Sequence, residues 1–158
     1  MSPVGRPDTA GWLVWDPAAI RALTRAAYAR WVPLIGRKPT PMTADYGARV
    51  RDHLIDLLEV DGGLAALIEM VPESSHLLVE NVALLPELQG RGYGRRMLEH
   101  PERVAETLGV GELQLYTNAQ FAENVRLYRG LGYEVYREAP HKGGITVYPS
   151  KRLARPGA

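Results

Sequence analysis

Between an apolar run, LLVENVALL (residues 77–85), and a helix-like run, LEHPERVAETLG (residues 98–109), the chain places PELQGRGYGRRM. Gly90, Gly92 and Gly94 alternate there with Arg91 and Tyr93, and Arg95 and Arg96 follow at once. Glycine gives up more backbone freedom on folding than any other residue, so closely spaced glycines imply a backbone that must turn left-handed or approach a ligand. A loop that opens a helix also presents N–H groups with no internal partner and the positive end of a dipole. The pattern reads as a cradle for phosphate or pyrophosphate, with arginines at its rim. Two common phosphate loops are excluded. The dinucleotide fingerprint needs GxGxxG, but its third glycine would fall on Arg95 or Met97. The nucleoside-triphosphate loop needs a Gly-Lys-Ser/Thr ending, which is absent.

What remains is Gln-x-x-Gly-x-Gly, from Gln89 to Gly94, after a strand closed by Pro86. This matches the pyrophosphate motif of the GNAT superfamily of N-acetyltransferases. Upstream, VALLPEL resembles the strand that receives the pantetheine arm in that superfamily. Downstream, YTNAQFAENVRLYRGLGYE resembles its second signature, and AYARWVPLIGRKPTPMTADY is similar to the N-terminal helices of one bacterial branch. The resemblance covers most of the chain.

The resemblance implies an α/β fold: a mixed, mostly antiparallel twisted sheet with helices on both faces and the pyrophosphate loop between a central strand and a helix. It implies transfer of an acetyl group from acetyl-CoA to a primary amine of a small molecule or peptide, by direct attack in a ternary complex. By residue, it assigns cofactor binding to Val82, Leu84, Gln89, Gly90, Arg91, Gly92, Tyr93, Gly94, Arg95, Asn118 and Asn124. At a bulge, the Leu84 N–H would point at the thioester carbonyl, where charge develops. Tyr128 matches the tyrosine beside the CoA sulfur, an acid for the leaving thiolate. Glu80, a charged residue in an otherwise buried strand, is the candidate base. Trp31, Asp45 and Tyr46 lie on the acceptor side; for Asp45 the competing reading is a first-turn partner of a helix dipole. Two rivals stand beside this reading: a non-catalytic CoA-binding sensor or scaffold, and an acyltransferase for a longer acyl chain. A homodimer is common in the superfamily, with ITVYPSKRL as a strand that could pair across it. Pro101 departs from the family's smooth helix and should kink it. Phe121, where Met is usual, is a packing change.

The periodicity predicts a first strand at Trp12–Trp15 and a helix opened by Asp16 and Pro17 and ended by Pro33. A second helix is capped by Thr43, with Tyr46, Val50, Leu54 and Leu57 on one side. Two apolar runs flank DGG at residues 61–63, a hairpin signal. A strand over 76–85 follows, then a helix over about 92–108 with Gly109 as its cap, a strand over 112–117, a helix through FAENVRLYRGLG, and two last strands around PHKGG. The segment 76–117 reads as a parallel strand–helix–strand crossover.

With 158 residues the expectation is one domain spanning 1–158, with loose tails near 1–9 and 154–158. Nineteen basic and 18 acidic side chains leave a formal charge of +1, which gives no bulk attraction for nucleic acid or an anionic membrane. Cysteine is absent, so disulfides, zinc-thiolate sites and a cysteine nucleophile are excluded. Histidines 53, 76, 100 and 141 lack ligand spacing, so no metal is expected. The first residues lack a leader pattern, and no apolar run is long enough to span a bilayer; a cytoplasmic protein is the expectation.

Overall fold

The computed structural model describes residues 2–4, 17–60 and 63–154. The predicted first strand at Trp12–Trp15 and the Asp16 cap lie outside them. The chain is organised as two compact units: Met1–Met70 with Asn81–Gly94, and Val71–Glu80 with Arg95–Ala158.

In the first unit, strand β1 (Ser2–Val4) pairs antiparallel with β2 (Leu54–Val60), and β2 pairs antiparallel with β3 (Gly63–Pro72). Helix α1 (Pro17–Tyr28) buries Ile20, Leu23 and Ala27, a 3–4 spacing that puts all three on one face. They pack with Tyr46, Leu57, Leu67 and Ala83 into an apolar core. Pro33 does not end this helical segment outright. The backbone tightens to a 3-10 turn over Ala29–Trp31 and resumes as α2 (Val32–Ile35) with Pro33 in its first turn. Proline has no N–H to return to the preceding turn, so the bonding pattern changes one turn earlier. Gly36, at φ 73°, closes α2.

Helix α3 (Tyr46–Asp52) is capped by Asp45, whose carboxylate accepts the Ala48 N–H at 3.2 Å. Thr43, the predicted cap, instead bonds the Thr40 carbonyl at 3.2 Å and closes a 3-10 turn over Thr40–Thr43. The helix also stops earlier than its periodicity suggests. Leu54 and Leu57 belong to β2, because LIDLLEV pairs along its length with β3. Glu69 on β3 is completely buried, and the Arg49 guanidinium (3.2 Å) and His53 Nδ1 (2.5 Å) meet its two oxygens. A buried carboxylate without such partners would cost several kcal/mol, on the order of a broken buried pair.

In the second unit, the first half of strand β4 (Leu77–Leu84) lies parallel to β5 (Glu112–Leu115), as the crossover reading requires. β5 and β6 (Thr117–Asn118) both pair antiparallel with β8 (Gly144–Arg152). β7 (Glu134–His141) joins β8 as a hairpin whose turn holds Lys142 and Gly143 at positive φ. The result is the expected mixed α/β architecture, with β4–β5 the parallel pair among otherwise antiparallel ladders of the described residues.

The helix expected over 92–108 is two helices, α4 (Tyr93–Met97) and α5 (Glu99–Leu108), with Leu98 between them. Pro101 accounts for the break. It cannot donate to the Met97 carbonyl and its ring crowds that oxygen, so the first helix stops at Met97. The consequence is a break rather than the kink expected further on. Pro101 itself is fully buried in the third position of α5, where a proline costs little. Gly109 caps α5 in the left-handed conformation, as the sequence suggests. Helix α6 (Ala122–Gly130) follows β6, and Phe121 before it is buried. No helix among the described residues is long and apolar enough to cross a membrane.

Candidate functional site

The glycine loop follows directly from β4. Pro86–Leu88 makes a 3-10 turn, and Gln89 leads into Gly90 and Gly92 at φ 77° and 82°. These are left-handed values that side-chain-bearing residues avoid. A Cβ built at either glycine meets nothing within 4 Å. The glycines are therefore required by backbone conformation, and the space beside them is open and exposed. That is the shape a pyrophosphate needs to reach backbone N–H groups. Arg91, in the same loop, is exposed, as are Arg95 and Arg96 just after it in the chain. Helix α4 has only five residues, so little macrodipole accumulates, and an anion here would depend on local N–H groups and nearby basic side chains.

Gln89 does not point outward. Its side-chain amide donates to the Leu84 carbonyl at 3.0 Å and the Ala27 carbonyl at 3.5 Å. Gln89 thus ties the start of the loop to the end of β4 and to α1. The neighbouring Val82 carbonyl accepts the Tyr28 hydroxyl at 3.3 Å, and that hydroxyl also lies 2.9 Å from Asn81 Oδ1. The amide of buried Asn81 donates to Tyr46 Oη at 3.2 Å, and Tyr46 donates to the Pro41 carbonyl at 2.6 Å. One polar network therefore joins α1, the Pro41 turn, α3 and β4 beside the loop.

This network decides where the acceptor-side candidates lie. Tyr46 is completely buried and its hydroxyl is engaged twice, so it holds the fold from inside. Asp45 is exposed but its carboxylate caps α3. Trp31 is half-buried, with the Arg30 guanidinium 4.2 Å above its ring. Arg25 on α1 donates to the Met42 carbonyl at 3.4 Å, which ties the helix to the 3-10 turn over Thr40–Thr43.

The remaining candidates belong to the second unit. β4 alternates buried and half-buried residues, and Glu80 is on its half-buried set with Leu78. Its Oε1 accepts the Tyr116 hydroxyl at 2.6 Å. Asn118 is partly committed: its Oδ1 accepts the Gln120 N–H at 2.9 Å. Asn124 is half-buried one turn before Tyr128 on α6, so the two share a helix face. Tyr128 is 8% exposed, and burial pushes its phenol up to about 12. It therefore carries its proton throughout the neutral range. Its ring is 5.9 Å from that of Tyr133.

Tyr133 is buried, and among the described residues its hydroxyl has no hydrogen-bond partner. Burial first, then the charge of Glu102 and the neighbouring Tyr128, push its phenol well above the usual tyrosine value. Glu102 itself is held by Lys151 at 2.5 Å. A buried hydroxyl left unpaired costs about 1–3 kcal/mol. Tyr133→Phe is therefore expected to stabilise the fold by about 1 kcal/mol and raise Tm by about 2–4 °C in thermal unfolding. A lower Tm would show that the hydroxyl is bonded in solution.

Sequence reading missed Tyr28, Asn81 and Tyr116. Tyr116 was open to detection. In ELQLYT the period of two puts Gln114 and Tyr116 on one face, and a parallel β4–β5 pair brings Tyr116 to the level of Glu80. Tyr28 and Asn81 lie 53 residues apart, and no local pattern links them.

The model of the acetyltransferase (GNAT) family matches residues 20–133. The ribosomal protein bS18-alanine N-acetyltransferase of Salmonella typhimurium is 38% identical over 56% of this chain and 60% of its own length. The S-alkylcysteine N-acetyltransferase of Bacillus subtilis is 32% identical over 66% of this chain and 64% of its own. The chain thus spans less than two thirds of the length of these curated relatives. A GNAT family acetyltransferase from Elizabethkingia anophelis, solved with acetyl-CoA bound, shares the fold at a TM-score of 0.66 and 14% identity, over 96% of this chain and 98% of that one. With the glycine loop after β4, the parallel β4–β5 pair and a family match over most of its length, the chain belongs to the acetyltransferase (GNAT) family.

Proposed function

We propose that this chain transfers the acetyl group of acetyl-CoA to a primary amine, and that the acceptor is an α-amine of a peptide or amino acid. The observation that carries the reading is the pair of left-handed glycines, Gly90 and Gly92, opening exposed space directly after β4 in a chain of this family. Gly90, Gly92 and Gly94 would offer backbone to the pyrophosphate, and Arg91, Tyr93 and Arg95 would line it. Gln89 supports the loop from behind. Val82 and Leu84 would line the pantetheine arm, with Asn118 and Asn124 as further contacts. The cosubstrate supplies an activated acetyl thioester.

The roles of the chain's own groups follow from the chemistry. An ammonium has no lone pair to attack with, so the acceptor must lose a proton. A lysine-type amine titrates near about 10.4 and an α-amine near about 8. At neutral pH the α-amine is about 200-fold richer in free base, so a carboxylate such as Glu80 has far less to do. The amine nitrogen uses its lone pair to bond the acetyl carbon while its proton passes to Glu80. The carbon–sulfur bond breaks, its electron pair leaves on sulfur, and Tyr128 would donate to that sulfur. Two relatives support the reading by the acceptors they are named for, an alanine of ribosomal protein bS18 and an S-alkylcysteine.

The test is thiol release from acetyl-CoA by the purified protein, with an alanine-initiated peptide, an S-alkylcysteine and Nα-blocked lysine as acceptors. Faster release with the first two than with the blocked lysine is expected. Release no faster than hydrolysis with every acceptor would overturn the reading.

A further inference from the structure

Where the main-chain ladder between β4 and β5 ends, a side-chain bond continues it. The parallel pairing runs through Leu77, Leu78 and Val79 against Leu113, Gln114 and Leu115. Glu80 and Tyr116 are the next residue on each strand, and the Tyr116 hydroxyl donates to Glu80 Oε1 at 2.6 Å. Tyr116 is itself held. Its ring packs against Tyr148 at 6.5 Å, and Tyr148 packs against Tyr136 at 6.3 Å and carries the Arg137 guanidinium 4.9 Å from its ring. The Tyr136 hydroxyl in turn donates to Gln114 Oε1 at 3.1 Å.

We propose that Tyr116 is a positioning residue for acetyl transfer: it fixes the Glu80 carboxylate so that the base meets the acceptor amine in one orientation. The inference rests on Glu80 acting as the base. A glutamate side chain has three rotatable bonds, and a base that wanders among rotamers is in place for only part of the time. A short, charge-assisted phenol–carboxylate bond removes that freedom before the acceptor arrives. The row Tyr116–Tyr148–Tyr136 keeps the phenol from swinging with it.

The experiment is a double-mutant cycle on acetyl transfer to an alanine-initiated peptide, using Tyr116→Phe, Glu80→Gln and the pair, with Tm measured for each. Phenylalanine keeps the ring against Tyr148 and deletes only the hydroxyl. Tyr116→Phe is expected to lower kcat about 10-fold, with KM for acetyl-CoA within about twofold. In the Glu80→Gln background the same change is expected to do nothing further, because there is no base left to hold. Multiplying losses would mean that Tyr116 acts independently of Glu80 and would overturn the proposal, as would an undiminished kcat for Tyr116→Phe. Full activity of Glu80→Gln would remove the base assignment and this inference together. A loss that tracks a fall in Tm would reduce Tyr116 to a packing residue.

Discussion

Gly92→Asp is expected to weaken acetyl-CoA binding about 100-fold in calorimetric titration, with the folded protein intact. Two effects combine. At φ 82° any residue with a Cβ is strained by about 1–2 kcal/mol, so the loop will relax away from its cradle shape. The new carboxylate also stands where the space beside the backbone is open, which is where a pyrophosphate would approach. A like-charge contact and a distorted cradle together amount to about 3 kcal/mol, or about two decades in Kd. The matched control is Gly109→Asp. Gly109 has φ 75° and equally open surroundings, but it caps α5. It carries the same backbone penalty, lowering Tm by about 2–8 °C, and should leave acetyl-CoA binding unchanged. Equal binding by Gly92→Asp and the wild type would withdraw the cradle. Equal weakening by both variants would trace the effect to general destabilisation.

The loop was legible because its cause is local. Prolines and glycines act on the bonds beside them, so Pro86, Gly90, Gly92 and Gly109 mark their boundaries wherever the chain goes. The α3–β2 junction was not legible for the opposite reason. Tyr46, Val50, Leu54 and Leu57 satisfy a helical period, and LIDLLEV satisfies a strand just as well. Pairing with β3 decides, and that partner lies beyond the reach of any short window. Side-chain commitments were harder still. Gln89 belongs to the motif in sequence yet turns its amide inward to two carbonyls, and Tyr46, expected to face the acceptor, is wholly buried. A motif fixes the residue type, and packing decides which way the residue points. Glu80 shows both halves. It stood out as a charge in an apolar strand, whereas its partner Tyr116 is 36 residues away.

Tyr128→Phe should lower kcat by about 100-fold, with little change in KM for acetyl-CoA, if the phenol donates to the departing sulfur. The size of the effect depends on how far the proton moves. Burial holds the Tyr128 phenol at about 12, whereas a thiol has an ordinary value of about 8.5. Complete transfer from such a phenol to a thiolate would run uphill by about 5 kcal/mol. In the proposed role Tyr128 would therefore act as a strong hydrogen-bond donor to the sulfur as charge develops, with the proton settling afterwards from solvent. The sign of the pH dependence follows. A phenol pushed upward keeps its proton below its raised value, so Tyr128 is fully protonated from pH 6 to pH 10. The rate profiles of wild type and Tyr128→Phe should run parallel across that interval, separated by the same factor at every pH. A gap that closes as the pH rises toward 10 would mean the phenol is ionising there, and the donor role would have to be rewritten for a group with an ordinary value. No gap at any pH would make Tyr128 a core aromatic packed against Tyr133, and the proton for the thiolate would come from water alone.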